Sequence, residues 1–271
     1  MPQISRRTLL QLTASSIPLL AMGCAGPVIV EDIPESLARF PRTPISGDMS
    51  QDRAVLTFFV ADDSPVTLWV WNDDGLVLDR AVASNGDGFH KVMLDALEPG
   101  TRYHWAVLGG EGPRYEDRSL VCSFRTAYAE GDLPVVRVAL LSCIGRGTIL
   151  PDYYFPEDTD NPTEAPFEWP LLQSAAALGL ELDALVHLGD QAYLDFVWSR
   201  EEGTLEAYLS AWGWYHGGDY RQVYPLAGLY ATWDDHESTD NSNFDPWDMS
   251  AEDQQKLANA HSAWYLSLIH I

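Results

Sequence analysis

The sequence predicts a two-part chain: a β-sandwich of short strands, then an α/β part built on a largely parallel sheet. Three observations carry that reading. Between residues 45 and 127 apolar and polar residues alternate at period two, and turn residues break the alternation at short intervals. After Pro134 the alternation gives way to three near-continuous apolar runs, at 135–141, 182–188 and 226–233, the pattern of strands buried on both faces. Helix-patterned segments separate these runs, and strand–helix–strand order implies right-handed crossovers between parallel strands.

Taken in order, residues 1–25 read as an export signal rather than part of a fold. Ser5-Arg6-Arg7-Thr8-Leu9-Leu10 precedes a mildly apolar stretch, and no acidic residue occurs before Glu31. The arginine pair resembles a Tat signal, with an ordinary Sec signal as the alternative. The Tat route carries proteins already folded. Ala21-Met22-Gly23-Cys24 resembles a lipobox, except that Ala stands where Leu is usual. Lipidation of Cys24 and plain cleavage near it are the two readings. The protein is expected to be exported, periplasmic or extracellular, and to touch a membrane only through such an anchor. No other stretch approaches the ~18 consecutive apolar residues of a transmembrane span. Residues 26–44 read as a linker.

The sandwich is read over 45–127. Its strands are Ala54 to Val60, Val66 to Trp71, Phe89 to Leu94, Thr101 to Leu108 and Leu120 to Arg125, with turns such as Asn72-Asp73-Asp74-Gly75 between them. Leu97-Glu98-Pro99-Gly100-Thr101-Arg102-Tyr103 resembles a pattern of fibronectin type III and purple-acid-phosphatase N-terminal modules, in which a Tyr after a Pro-Gly turn anchors a corner. His90 and His104 read as ordinary strand residues. A linker at 128–134 leads to the α/β part, read over 135–271. There Pro166 to Leu178 and Thr204 to Tyr215 read as helices, the second closed by Gly217-Gly218. Asp253 to Leu268 reads as a third, amphipathic helix.

Charge narrows the function. Sixteen Lys and Arg stand against forty Asp and Glu, a formal net charge of −24. Such a chain lacks the basic face that nucleic acids and anionic membranes require. An anionic substrate would need local cations to hold it.

Each apolar run ends at a metal-ligand type or beside one: Leu141-Ser142-Cys143, then His187-Leu188-Gly189-Asp190-Gln191-Ala192-Tyr193, then Trp233-Asp234-Asp235-His236-Glu237. In open α/β sheets ligands collect at the carboxyl ends of strands. Cys143, Asp190 and Asp235 should therefore meet in one crevice. Thiolate, carboxylates and phenolate packed together need a cation, because unpaired anions out of water are costly.

With Asn241 beyond them, these motifs resemble the alkaline phosphatase D (PhoD-like) family of calcineurin-like metallophosphoesterases, and with the sandwich the likeness runs over residues 45–265. The resemblance implies a metallophosphatase sheet flanked by helices, and hydrolysis of phosphomonoesters, phosphodiesters or both by metal-activated water or hydroxide. It implies Fe(III) and Ca(2+) as cofactors and a small phosphate ester as substrate. Asp190 would bridge two ions, with a helix N-cap as the competing role. Tyr193 would bind iron as phenolate, against a packing role in the core. Cys143 would bind the same iron, against a disulfide with Cys122. Asp235, and less directly Asp234, would hold the second ion. His236 would act catalytically beside the phosphate, and Asn241 would be a further ligand or a turn residue. His187 reads as structural, His216, His261 and His270 belong to no motif, and Trp198, Trp212, Trp214 and Trp247 read as packing residues.

The resemblance also implies later His-bearing motifs that do not follow here. The terminal Leu266-Ser267-Leu268-Ile269-His270-Ile271 looks like translated adapter sequence. The expectation is a C-terminally truncated phosphatase sheet that binds metal weakly and turns over poorly. The competing reading is a non-enzymatic, exported β-sandwich binding or spacer protein carrying an inactive phosphatase fragment.

Overall fold

The computed structural model describes residues 30–110, 115–143, 179–200, 203–241 and 249–268. The export signal, Cys24, the helix read at 166–178, Trp247 and His270 lie outside the described residues. Eleven strands are described: β1 (Ile45–Gly47), β2 (Ala54–Phe59), β3 (Val66–Asn72), β4 (Gly75–Val82), β5 (Phe89–Leu94), β6 (Arg102–Gly109), β7 (Asp117–Arg118), β8 (Cys122–Arg125), β9 (Val138–Leu141), β10 (Ala184–His187) and β11 (Gly228–Ala231). Three α-helices accompany them: α1 (Asp195–Arg200), α2 (Leu205–Gly217) and α3 (Ala251–Ser267).

The strands form two sheets. One has the order β4-β3-β6-β7, with β8 also paired to β6. The other runs β5-β2-β1-β11-β10-β9. Within it β5, β2 and β1 pair antiparallel, whereas β1, β11, β10 and β9 pair parallel. The second sheet therefore begins as one wall of the sandwich and ends as the sheet of the α/β part. The segmentation at 128–134 is a break along the chain, but hydrogen bonding crosses it through β1, where Gly47 partners Leu229.

Side-chain alternation explains how β2 serves both parts. Leu56 and Phe58 enter the sandwich core with Leu68, Val70, Trp105 and Phe124, while Val55 joins the core of the α/β part. Outside the sandwich, Val30 and Ile33 cover Trp69, Trp71 and Leu108. The indole of buried Trp105 donates to the Ser46 hydroxyl at 2.7 Å, tying the sheets together. The anchored corner forms as expected. The Glu98 amide donates to the Tyr103 hydroxyl at 2.8 Å, and Gly100, at φ +64, leaves no room for a Cβ against the Tyr128 ring.

In the α/β part, Ala139, Leu141, Leu185, Leu229 and Ala231 face α2 and α3, packing on Tyr208, Ala211, Trp212, Ala260 and Ala263. Thr204 caps α2 and Ser250 caps α3, each accepting a backbone N–H through its hydroxyl. The expected burial of both sheet faces does not hold among the described residues. Val138, Leu140 and Tyr230 are exposed, because the described helices pack on one face only. The sequence patterning also missed β4, an edge strand whose mostly exposed side chains, Asp79 and Arg80 among them, carry little apolar signal. No described helix is long and apolar enough to cross a membrane.

Candidate metal centre

The carboxyl ends of β9, β10 and β11 lie side by side, and each is followed within a few residues by a functional side chain. Cys143 comes two residues after β9, Asp190 three after β10, and Asp234 to Glu237 just after β11. Close approach of the last two loops depends on Gly189. It sits at φ +98, and a Cβ there would stand 2.4 Å from Cβ of Asp234. Cys143, Asp190 and Asn241 adopt left-handed backbone at φ 53, 54 and 50. That conformation is unfavourable for residues other than glycine and recurs where a site dictates side-chain direction.

Asp190 is the hub. Its Oδ2 accepts from the Cys143 thiol at 3.3 Å and from the Tyr193 hydroxyl at 3.4 Å. Its Oδ1 is buried and has no hydrogen-bond partner. Ligand atoms of Asp190, Asp235 and His236 all lie within 4.8 Å of one another. The Tyr193 ring stacks on the His236 imidazole, with centroids 3.9 Å apart.

His236 is oriented by Asp195. Its Nδ1 lies 3.0 Å from each Asp195 carboxylate oxygen. A carboxylate only accepts, so Nδ1 carries the proton. Nε2 faces Asp240 at 3.6 Å. Partial burial pulls the His236 pKa down, but the hydrogen bond and charge of Asp195, with Asp190 and Asp235 nearby, outweigh it and leave the pKa above its ordinary value. Burial raises the Tyr193 phenol, and the neighbouring Asp190 and Cys143 raise it further. Without a cation, Tyr193 stays protonated.

The other sequence-derived residues fall around this cluster. Asp234 caps the 3-10 turn Asp235–Glu237, accepting from the Asp235 amide at 2.9 Å. Asn241 donates its main-chain N–H to Asp235 and its side-chain amide N–H to Asp240. Cys143 and Cys122 are both free, so the competing disulfide is not formed. His187 is fully buried, and burial pushes its pKa down to about 4, consistent with a packing role.

Two residues of the site carried no role in the sequence reading. Asp195 was detectable only as an acid two residues after Tyr193. Glu237 was visible inside the motif, yet nothing in its spacing marks the buried main-chain amides it serves. The tyrosines behind the loop are likewise a tertiary product. The Tyr220 hydroxyl donates to the Gln191 carbonyl at 2.6 Å, and the Tyr215 hydroxyl accepts from the Tyr193 amide at 3.0 Å.

The donor set fits a cation. An orphaned, buried carboxylate oxygen beside a second carboxylate, an imidazole, a thiol and a phenol is expensive without one and favourable with one.

No protein-family model matches the chain, and no curated protein matches it in sequence. Solved structures do. The structure of PhoD is similar over 85% of this chain and 46% of its own length, with 21% identity and a TM-score of 0.62. A purple acid phosphatase from yellow lupin (Lupinus luteus) seeds is similar over 85% of this chain and 41% of its own, with 13% identity and a TM-score of 0.55. The chain thus spans a little under half the length of both, and over that span it carries the PhoD and purple acid phosphatase fold.

Proposed function

We propose that this chain is an exported, metal-dependent phosphatase acting on small phosphomonoesters, phosphodiesters or both. The observation that carries the reading is the convergence of Cys143, Asp190, Tyr193, Asp235 and His236 at three parallel strand ends, with one Asp190 oxygen left unpartnered. The shared fold supports it. Cys143, Tyr193 and Asp190 would hold Fe(III), and Asp190, Asp235 and Asn241 would hold Ca(2+). When bound, such ions neutralise phosphate oxygens and lower the pKa of an attacking water.

The chain's own residues supply the rest. Asp190 and Asp235 set where the ester must sit. With Nδ1 fixed by Asp195, His236 is a proton donor of raised pKa, suited to protonating the departing alkoxide oxygen. The stacked Tyr193 ring keeps the imidazole from rotating away. The twin-arginine segment supports export, since the Tat route would deliver the folded, loaded protein.

The test is uptake of iron and calcium by the purified chain, with turnover of a chromogenic phosphomonoester and phosphodiester measured alongside. Bound iron should give a visible phenolate charge-transfer band that Tyr193→Phe abolishes. Asp190→Asn should remove metal and turnover together, whereas His187→Ala should cost far less. A chain that takes up no metal, or one that is colourless and fully active, would overturn the proposal.

A further inference from the structure

Two of the three segments that deliver the site are loops on neighbouring strands: residues 188–194 after β10 and residues 232–241 after β11. What sets the distance between them is buried behind the ligands. Glu237 is fully buried. Its Oε1 accepts the main-chain N–H of Gln191, on the first loop. Its Oε2 accepts the main-chain N–H of Asp234, on the second, at 2.8 Å. A single carboxylate therefore spans both loops, with one oxygen on each, one residue from Asp190 and one from Asp235.

Gln191, also fully buried, reinforces the link. Its side-chain amide donates to the Thr232 carbonyl at 2.9 Å, and its own carbonyl accepts from Tyr220. The Leu194 amide donates to the His236 carbonyl at 2.8 Å. The Glu237 and Gln191 side chains bridge the main chains of the two loops, the Leu194 bond joins them directly, and Tyr220 braces the first loop from behind. None of them needs an ion.

We infer that Glu237 is a positioning residue that locks the two ligand loops together before any metal arrives, so fixing the spacing of Asp190 and Asp235. The inference rests on reading those carboxylates as a metal centre. Its physical basis is that a carboxylate offers acceptors on both oxygens, whereas an amide offers one acceptor and one donor. Glu237→Gln keeps size and shape but must turn an NH2 towards one of the two main-chain amides. One loop is then released. Loss of groups that orient metal ligands commonly weakens metal binding by about 10- to 100-fold.

A purely local role is the competing account, because Glu237 also completes the capping box of its own 3-10 turn. Two measurements separate them. Amide hydrogen exchange on the metal-free protein should accelerate in Glu237→Gln at 190–194 as well as at 234–238, with β10 and α2 unchanged. Titration with Co(2+), followed by its visible absorption, should show affinity reduced by about 10- to 100-fold. Exchange that accelerates only at 234–238, or unchanged Co(2+) affinity, overturns the inference. If the wild-type chain takes up no Co(2+), the metal-centre reading fails, and the exchange pattern still decides whether Glu237 couples the loops. Should Glu237→Gln fail to fold, Glu237→Asp keeps the charge but shortens the side chain by one methylene, so that its carboxylate no longer reaches both main-chain amides. Faster exchange at 190–194 then supports the lock, and unchanged exchange overturns it.

Discussion

At His236 two opposing effects meet, and their balance can be measured. Partial burial disfavours the imidazolium, while Asp195 favours it by hydrogen bond and charge. The second effect wins in the native chain. Replacing Asp195 by Asn removes that charge and leaves burial in place, with Asp190 and Asp235 still nearby, so the His236 pKa should fall. NMR titration of the imidazole in metal-free protein checks this directly. The sign carries into stability. A raised folded-state pKa stabilises the protein fully below the unfolded value, and that contribution is lost as pH rises through the folded value. Asp195→Asn should therefore lower stability below the unfolded imidazole value and flatten the profile between that value and the folded one. A His236 pKa unmoved by Asp195→Asn would mean that the bond does not control the proton.

Among the described elements, the junction of β10 with the sandwich carries a cluster of opposite charges. Asp183, just ahead of β10, is nearly buried and pairs with Arg125 of β8 at 2.7 Å and with Arg102 of β6 at 3.6 Å. It also accepts the Arg137 amide at 2.8 Å, just ahead of β9. Removing one partner of a buried ion pair is destabilising by about 3–5 kcal/mol, because the remaining charges stay desolvated and unpaired. Asp183→Ala strands both guanidiniums, which retain other acceptors in Glu181 and the Gly100 carbonyl. The lower part of that range is therefore expected. Urea unfolding should show the midpoint lowered with an unchanged slope. A midpoint unmoved by Asp183→Ala would show that the sandwich and the parallel strands are held by apolar packing alone.

For the whole molecule the decisive feature is the six-stranded sheet. β1 pairs with β2 of the sandwich on one side and β11 of the α/β part on the other, and Val55 of β2 belongs to the core beneath α2 and α3. Residues 45–127 made alone would expose that edge of β1 and half of a core. We expect the intact chain to unfold in a single transition, with far-UV circular dichroism and tryptophan fluorescence coincident. The separate 45–127 and 135–271 pieces should be aggregation-prone or largely unfolded. Two resolved transitions, or a sandwich fragment as stable as the intact chain, would contradict this.

Local patterns determined a good deal of this protein. Period-two alternation located β2, β3, β5, β6 and β8, because side chains on a strand alternate between core and outside whatever the partner is. The apolar runs located β9, β10 and β11, and the residues just past their ends, Cys143, Asp190 and Asp235, follow from the rule that parallel strands present their carboxyl ends to one edge. β4 escaped because an exposed edge strand has no apolar period to detect. The tertiary structure decided what depends on residues far apart in sequence. It placed β1 between β2 and β11 in one sheet, set Asp195 on the His236 ring, and gave Glu237 an amide from each loop. Those contacts are specified by direction and distance, and residue type carries neither until both loops are folded onto the same sheet edge.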